Sequence, residues 1–306
     1  MHRRAFLQSA TAAAALPVLT AAAAAGTPSA KRALRKGYMY GAGPRRDPKK
    51  GGGASLAETF KHLKTAGFAG VEVNSGMKQS EVLAARDAAG LAVHSVVIAT
   101  HWSHPLSSPD PAVRQTGLEG LRQGLRDAKA YGADAVLLVP GVVNQEISYD
   151  QAWERSIAEI RQALPLAAEL QVSIAIENVW NKFLLSPREA AAYVDQFQSP
   201  WARWYFDVGN VVDYGWPDQW IRTLGPRIAK VHVKEYSRKL RDEKGPRAGF
   251  DIELHQGDSN WPAVVAALDA VRYAGWITSE QRRTPGLSDP EWFAQLAAQM
   301  DRIIAL

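Results

Sequence analysis

The chain has 306 residues, of which 46% are hydrophobic and 22% are charged, and its formal net charge is +5. This length and composition are those of a globular protein that can bury a large core without cross-links. The absence of cysteine excludes disulfides, thiolate zinc sites, iron–sulfur clusters and cysteine nucleophiles. Basic residues are scattered apart from one cluster between residues 31 and 50, which we interpret as a solvated surface. We therefore expect no nucleic-acid partner.

The first 26 residues have the pattern of an export signal. A charged start, an alanine-rich apolar middle and a small-residue end follow one another in MHRRAFLQSATAAAALPVLTAAAAAG. The pair Arg3-Arg4, followed by an apolar triplet, resembles a twin-arginine signal, although His2 stands where Ser or Thr is usual. Pro17 interrupts the apolar part, so we expect no stable membrane span after processing. The sequence thus predicts a signal peptide over residues 1–26, an exported (periplasmic or extracellular) protein, and one domain over residues 27–306.

Beyond the signal, eight short apolar runs alternate with longer amphipathic segments. The runs occupy residues 37–41, 70–74, 92–100, 135–141, 172–179, 204–210, 228–236 and 276–281. The helical pattern after the first run begins at Ser55, with Glu58 three residues further on, which is a capping box. Strands that alternate with helices of this length pair in parallel through crossovers. Eight such units predict an α/β fold, a (β/α)8 TIM barrel built as a single domain.

An open doubly wound sheet is the alternative arrangement for the same pattern. That fold usually carries a glycine-rich phosphate loop after its first strand, and this sequence has none at that point. The stretch 236–260 is rich in charge and glycine, and it is long for a connection between two elements. We expect this stretch to form a lid or a binding loop.

Polar residues mark the ends of four successive predicted strands. The fifth strand ends at Glu177, the sixth ends at Asp207, the seventh carries His232, and the eighth ends at Glu280. Because the carboxyl ends of barrel strands form one face, we expect these four side chains to converge. Three carboxylates and one imidazole suit Mn²⁺, Mg²⁺ or Co²⁺, and they are compatible with Zn²⁺. The sequence therefore predicts one divalent metal ion as cofactor.

Four segments resemble the sugar phosphate isomerase/epimerase superfamily, whose members have a xylose isomerase-like barrel. They are AIENV, FDVGN, VHVKEYSR and GDSNWPAVVAALDAVRYAGWITSE. The resemblance implies that Glu177, Asp207, His232 and Glu280 hold the metal, and that the two glutamates act as an acid–base pair on opposite faces of a bound ketose. It also implies a homo-oligomer and a substrate contact from Arg238, six residues after the metal histidine.

Further candidates for substrate binding lie at or after other strand ends. Ketose 3-epimerases of the family carry a histidine three residues after the metal aspartate, whereas this sequence departs from that pattern with Asn210. We place Glu72 at the end of the second predicted strand, and His101 and Trp102 follow the third. Lys234 lies two residues after the predicted metal histidine. Side chains of these types hydrogen-bond sugar hydroxyls or stack on a sugar face.

Taken together, these features predict a metal-dependent isomerase or epimerase of a carbohydrate. A metal polarises a carbonyl, one carboxylate removes the neighbouring proton, and a second carboxylate returns it. Export favours an unphosphorylated ketose or keto-sugar as the small-molecule substrate, because sugar phosphates are largely cytosolic. Two alternatives use the same site, namely a lyase that cleaves 3-keto-glycosides after the same enolisation and a non-catalytic sugar-binding barrel.

Overall fold

A computed structural model of the protein describes residues 33–41 and 54–306. The predicted signal peptide over residues 1–26, and most of the basic cluster between residues 31 and 50, lie outside the described residues. Among the helices of the described ranges, none combines the length and the apolar character needed to cross a membrane.

Eight parallel strands close into a barrel in chain order. They are β1 (Leu34–Met39), β2 (Gly70–Asn74), β3 (Ala92–Val97), β4 (Ala135–Leu138), β5 (Ser173–Glu177), β6 (Ala202–Asp207), β7 (Ile228–Val233) and β8 (Gly275–Ser279). Each strand pairs with its neighbours in sequence, and β8 pairs with β1. The predicted (β/α)8 TIM barrel is therefore confirmed. The open doubly wound sheet is wrong, because the first and last strands are hydrogen-bonded to each other.

Ten α-helices of the described chain follow or connect the strands. They are α1 (Leu56–Thr65), α2 (Gln79–Ala89), α3 (Pro111–Tyr131), α4 (Tyr149–Leu170), α5 (Pro187–Asp195), α6 (Val208–Val212), α7 (Pro217–Leu224), α8 (Arg238–Lys244), α9 (Trp261–Ala270) and α10 (Asp289–Ile304). Short 3-10 turns cover Gly225–Arg227 and Pro246–Phe250. The stretch 236–260 thus contains α8 and one 3-10 turn rather than an extended loop.

Helix starts follow the local sequence signals. The predicted capping box at α1 is present: the Ser55 hydroxyl accepts from the Glu58 amide at 3.2 Å, and the Glu58 carboxylate accepts from the Ser55 amide at 2.7 Å. The same reciprocal pair, between Ser148 and Gln151, begins α4. Each pair provides partners for backbone N–H groups that the helix itself leaves unbonded.

The strands at the site end differently from the predicted runs. The run 204–210 is a strand only as far as Asp207, since the Asp207 carboxylate accepts a hydrogen bond from the Asn210 amide at 2.7 Å and starts α6. Glu280 lies one residue beyond β8, but its amide donates to the Val233 carbonyl at 3.0 Å and prolongs the pairing with β7. Both carboxylates remain at the carboxyl edge of the barrel.

The barrel interior is unusually polar. Side chains alternate along each strand between the interior and the surrounding helices. The large apolar core packs the strands against the helices, and a separate small cluster consists of Val97, Leu137, Ala175 and Tyr205. Buried polar residues on the strands include Glu72, Ser95, Asp207, His232 and Thr278. A layer of hydrogen-bonded polar side chains in the interior therefore lies beneath the polar site at the barrel mouth. In most such barrels, branched apolar side chains fill this layer.

Candidate metal centre and cavity

The four predicted metal ligands meet at the carboxyl ends of β5 to β8. One ligand atom from each of Glu177, Asp207, His232 and Glu280 can be chosen so that all four lie within 4.8 Å of one another. From His232 Nδ1, the distances to carboxylate oxygens are 2.8 Å to Glu177, 3.3 Å to Glu280 and 3.8 Å to Asp207. The structure thus brings together all four residues predicted from the strand ends.

Strand register accounts for this convergence. Asp207 and His232 lie directly opposite each other in the β6–β7 ladder. Glu177 is two residues beyond Ala175, and Asp207 is two residues beyond Tyr205, so alternation places both carboxylates on the same face as the small apolar cluster. Parallel strands all present their carboxyl ends at one edge, and the four side chains therefore meet above the interior layer.

Asn178 holds Asp207 in place. The Asn178 side-chain carbonyl accepts from the Asp207 amide at 3.0 Å and from Trp204 Nε1 at 3.1 Å. Its side-chain amide donates to the Asp207 carbonyl at 2.7 Å. Asn178 thus hydrogen-bonds both the N–H and the C=O group of Asp207, while Asp207 Oδ1 accepts from the Asn210 amide.

The second oxygen of Asp207 fits a cation. Asp207 Oδ2 is buried and accepts no hydrogen bond from the described residues, although Lys234 Nζ lies 3.2 Å away. A buried oxygen that lacks a hydrogen bond is costly unless another group compensates it. Together with the neighbouring carboxylates and the His232 nitrogen, it forms a donor set suited to a hard or borderline divalent ion. Glu177, Asp207, His232 and Glu280 could therefore hold a divalent metal.

Burial and like charges displace the pKa values in this cluster. Burial raises the pKa of Asp207 to about 8 and also raises the pKa of Glu177. Burial acts in the same direction on Glu280, but the Lys234 ammonium and His232 outweigh it and hold the pKa of Glu280 well below its usual range. For His232, burial disfavours the charged form, yet Glu72 and Glu177 raise its pKa well above the ordinary value. The raised pKa values show that the ionised forms of Asp207 and Glu177 are costly here, and a bound cation would favour those ionised forms.

Lys234 is a neighbour of the ligand cluster. Its Nζ is 2.8 Å from Glu280 Oε2 and 5.3 Å from the centre of the Phe250 ring. Burial disfavours the ammonium, but Asp207 and Glu280 raise the pKa of Lys234 above its usual range. A Cβ atom on Gly209 would lie 2.5 Å from Lys234 Cγ, so the lysine occupies this position only because residue 209 has no side chain.

Glu72 lies beneath the site and not on the cavity that a substrate would enter. It is fully buried, and its Oε1 is 2.9 Å from His232 Nε2. Its other oxygen accepts from the Tyr205 hydroxyl at 2.7 Å and from the Ser95 hydroxyl. Glu72 sits in the middle of β2, one layer below the strand ends, which is why it contacts the histidine. A carboxylate in this position orients the imidazole so that Nδ1 faces the ligand cluster.

A cavity of about 520 Å³ opens beside the ligand cluster. Glu177 and Glu280 line it, whereas Asp207 and His232 are fully buried beneath it. Four of the residues predicted to contact substrate also line this cavity: His101, Trp102, Asn210 and Lys234. Among the predicted metal ligands, the carboxylates expected to exchange protons are therefore the two that border the open space.

His101 and Trp102, which line the cavity after β3, are uncharged. His101 Nδ1 accepts a hydrogen bond from the Val139 amide at 3.2 Å, and burial lowers the pKa of His101 to about 4. Trp102 packs edge-to-face on His101 with ring centres 5.5 Å apart and leaves 54% of its surface exposed. Near β6, Asn210 donates from its side chain to the Asn178 carbonyl at 2.9 Å.

Arg238 is not brought to the cavity. Its guanidinium donates to the carbonyls of Val212 and Gly215 at 3.0 and 2.9 Å, and it lies 5.7 Å from the centre of the Trp216 ring. Arg238 is the first residue of α8, and the direction of that helix turns its side chain toward the segment after α6. Arg238 does lie six residues after His232, but the backbone between the two residues directs the Arg238 side chain away from the cavity.

Sequence reasoning missed Glu235. Its buried carboxylate accepts from the His255 and Ser259 amides and from Trp261 Nε1, at 2.8 to 3.0 Å. These partners lie 20 to 26 residues further along the chain, so no local spacing pointed to them. Glu235 thereby ties the stretch 236–260 back to the barrel, and Phe250 and Arg247 of that stretch line the cavity. The stretch thus forms a wall of the cavity.

The chain is similar to known proteins along most of its described length. A family model described as a xylose isomerase-like TIM barrel matches residues 60–303. L-ribulose-5-phosphate 3-epimerase UlaE of an Escherichia coli strain is 29% identical over 147 residues, which are 48% of this chain and 52% of that protein. UlaE of Salmonella paratyphi C is 26% identical over 237 residues, 73% of this chain and 81% of that protein. The chain spans about half the length of the first of these relatives.

Solved structures share the fold at low sequence identity. The structure of L-ribulose 3-epimerase has a TM-score of 0.71 at 19% identity, covering 89% of this chain and 95% of that one. The 3-keto-D-glucoside 4-epimerase YcjR from Escherichia coli has a TM-score of 0.71 at 14% identity, covering 89% and 100%. D-psicose 3-epimerase in the presence of D-fructose has a TM-score of 0.67 at 18% identity, covering 88% and 95%. These likenesses concern the barrel architecture.

Proposed function

The chain belongs to the xylose isomerase-like TIM-barrel family, and we propose that it is a divalent-metal-dependent isomerase or epimerase that moves a proton next to a carbonyl group of a carbohydrate. The two UlaE relatives named above are L-ribulose-5-phosphate 3-epimerases, which supports this class of reaction. The observation that carries the proposal is the position of two glutamates within the ligand cluster. Glu177 and Glu280 line the cavity, while the other two predicted ligands are fully buried.

The proposed roles follow from these positions. A divalent metal held by the four residues would polarise the substrate carbonyl and stabilise charge on its oxygen. Glu177 ends β5 and Glu280 follows β8, so the two carboxylates approach the cavity from different strands. One removes the proton and the other returns it from the opposite face, which inverts the carbon. Lys234 holds the Glu280 carboxylate through a hydrogen bond of 2.8 Å.

The cavity suits a small carbohydrate. Its volume of about 520 Å³ falls within the range of about 300 to 1,000 Å³ typical of small-molecule sites. Its lining combines the aromatic rings of Trp102, Trp180 and Phe250 with the polar side chains of His101 and Asn210. Aromatic rings pack on the apolar face of a sugar, and polar groups bind its hydroxyls. We propose a free ketose or keto-sugar as the substrate.

Hydrogen exchange tests this proposal directly. The metal-loaded protein is incubated in D₂O with a panel of free ketoses and 3-keto-sugars, and the sugars are analysed by mass spectrometry and NMR. Deuterium is expected at the carbon next to the carbonyl, and removal of the metal with a chelator should abolish its incorporation. Tight metal binding with no deuterium in any sugar would contradict the proposed enzyme and favour the sugar-binding barrel.

Export remains part of the proposal. The pattern of residues 1–26 supports a twin-arginine-type signal and a location outside the cytoplasm. Replacing Arg3-Arg4 by two lysines should retain the protein in the cytoplasmic fraction of a bacterial host with a twin-arginine pathway. Equal export of the wild type and this variant would argue against that route.

A further inference from the structure

The tautomer of His101 is set by a backbone hydrogen bond. The Val139 amide can only donate, so His101 Nδ1 must accept in the 3.2 Å contact between them. A neutral imidazole that accepts at Nδ1 carries its proton on Nε2. An imidazolium would place a second N–H opposite the Val139 N–H and lose this hydrogen bond. Geometry alone therefore assigns the Nε2–H form.

The Nε2–H group is free to meet a ligand. His101 is 6% exposed, and it lines the cavity. Among the described residues, Nε2 has no hydrogen-bond partner, and it is not one of the enclosed polar atoms that lack one. The accessible surface of this nearly buried side chain therefore faces the cavity, with a donor that no atom of residues 33–41 and 54–306 uses. Burial, which lowers the pKa of His101 to about 4, keeps the ring uncharged.

Barrel topology places this donor across the mouth from the centre of the ligand cluster. In a closed barrel of eight strands in chain order, β3 and β7 are four strands apart in both directions. His101 follows β3, while His232 and Lys234 belong to β7 and the residue after it. A molecule that reaches from the ligand cluster toward β3 therefore meets the His101 Nε2–H on its far side.

We propose that neutral His101 donates a hydrogen bond from Nε2–H to an oxygen of the bound carbohydrate, on the side of the cavity opposite the predicted metal ligands. This inference rests on the proposed function for the identity of the ligand. An uncharged N–H group can hold a hydroxyl or ring oxygen of the sugar on this side of the cavity without placing a further charge there. It also fixes the sugar at a second point, which orients the carbon between the two glutamates.

The tautomer is tested first, in the metal-loaded protein without ligand. The protein is labelled with ¹⁵N-histidine, and the His101 ring resonances are assigned from the spectrum of His101→Gln. At pH 7, Nε2 is expected to be protonated and Nδ1 unprotonated. Addition of D-fructose in large excess should shift the Nε2 resonance. An imidazolium, a proton on Nδ1, or an Nε2 resonance that does not respond to the sugar would overturn the proposal.

Three variants then separate the donor from the shape of the side chain. His101→Met removes the donor and should lower the rate of deuterium exchange about 100-fold, while His101→Gln retains an N–H group and should lose about tenfold. Metal content should be unchanged in both. His104→Leu, on the same connection but outside the cavity lining, should behave as the wild type. Equal rates for His101→Met and the wild type would contradict the role.

The two proposals fail in different ways. If the wild type exchanges no deuterium into any sugar while D-fructose still shifts the Nε2 resonance, the proposed reaction is wrong and the binding role of His101 stands. If exchange occurs but the Nε2 resonance does not respond, the reaction stands and this inference is wrong.

Discussion

Different interactions hold the side chains in the two halves of the barrel mouth. The half formed by β5 to β8 presents side chains that bond mainly to one another, with His232 and Lys234 paired with the carboxylates of Glu177, Asp207 and Glu280. The half formed by β1 to β4 lines the cavity with uncharged residues, namely Met39, Val97, His101, Trp102 and Leu137. In this neutral half, His101 is held by a backbone amide and not by another charge.

The difference in charge between the two halves suits them to different roles in the proposed reaction. Buried charges are costly unless they are paired or bind a cation, so we expect a bound cation to stabilise the charged half. We expect the neutral half to keep its geometry whether or not an ion is bound, because a backbone hydrogen bond and ring packing hold His101. We infer that the charged half carries the chemistry and that the neutral half positions the ligand.

Replacing a carboxylate of the charged half should have the largest effect. Glu177→Gln removes one of the two proposed proton-transfer groups at the cavity, and we expect the rate of deuterium exchange into the substrate to fall about 1,000-fold. The control is Glu146→Gln, an exposed residue of the connection after β4 that does not line the cavity. Exchange at the wild-type rate in Glu177→Gln would show that this half does not carry the chemistry.

The support beneath the charged half is tested by Glu72→Gln. The amide replaces the charged acceptor that orients His232 Nε2, so metal affinity should fall about 10- to 100-fold. Titration of the metal into the apoprotein measures this change. Tyr205→Phe removes one donor to the same carboxylate and should have a smaller effect. Unchanged affinity in Glu72→Gln would mean that His232 is oriented without it.

The free energy of unfolding should depend on pH through His101 of the neutral half. The folded pKa of His101 is about 4, below its ordinary value of 6.5. Its contribution to stability is therefore fully present above pH 6.5 and is lost as the pH falls toward 4. Between neutral pH and pH 5 we expect the wild type to lose about 2 kcal/mol of unfolding free energy that His101→Gln retains. Denaturant unfolding at the two pH values measures the difference, and His104→Gln should follow the wild type. Parallel losses in wild type and His101→Gln would show that His101 is not neutral when folded.

The smallest effect is expected at the rim of the neutral half. Trp102 is 54% exposed, so Trp102→Ala should leave stability and metal content nearly unchanged. Loss of a stacking surface worth about 1 kcal/mol should raise KM about fivefold with little change in kcat. Trp216→Ala is the matched control, because Trp216 is 59% exposed and does not line the cavity. A similar KM for both variants would remove Trp102 from the ligand site.

Much of the fold and the charged half could be predicted from the sequence. Eight apolar runs alternating with helices specified a parallel barrel, and parallel strands present all carboxyl ends at one edge. A polar residue on each of four successive predicted strands, at the strand end in three of them, was therefore enough to place Glu177, Asp207, His232 and Glu280 together. Arg238 shows the limit of such spacing, since α8 begins there and turns its guanidinium to the carbonyls of Val212 and Gly215.

By itself, the sequence determined which residues reach the barrel mouth, because strand direction and side-chain alternation are local properties repeated eight times. Only the tertiary structure decided what those residues touch. Glu72 hydrogen-bonds His232 from the layer below, and Glu235 binds residues 20 to 26 positions further along the chain. The Val139 amide sets the tautomer of His101. Each of these contacts joins residues that no spacing in the chain relates. Hydrogen bonding and burial, which set charge and orientation, depend on such long-range neighbours.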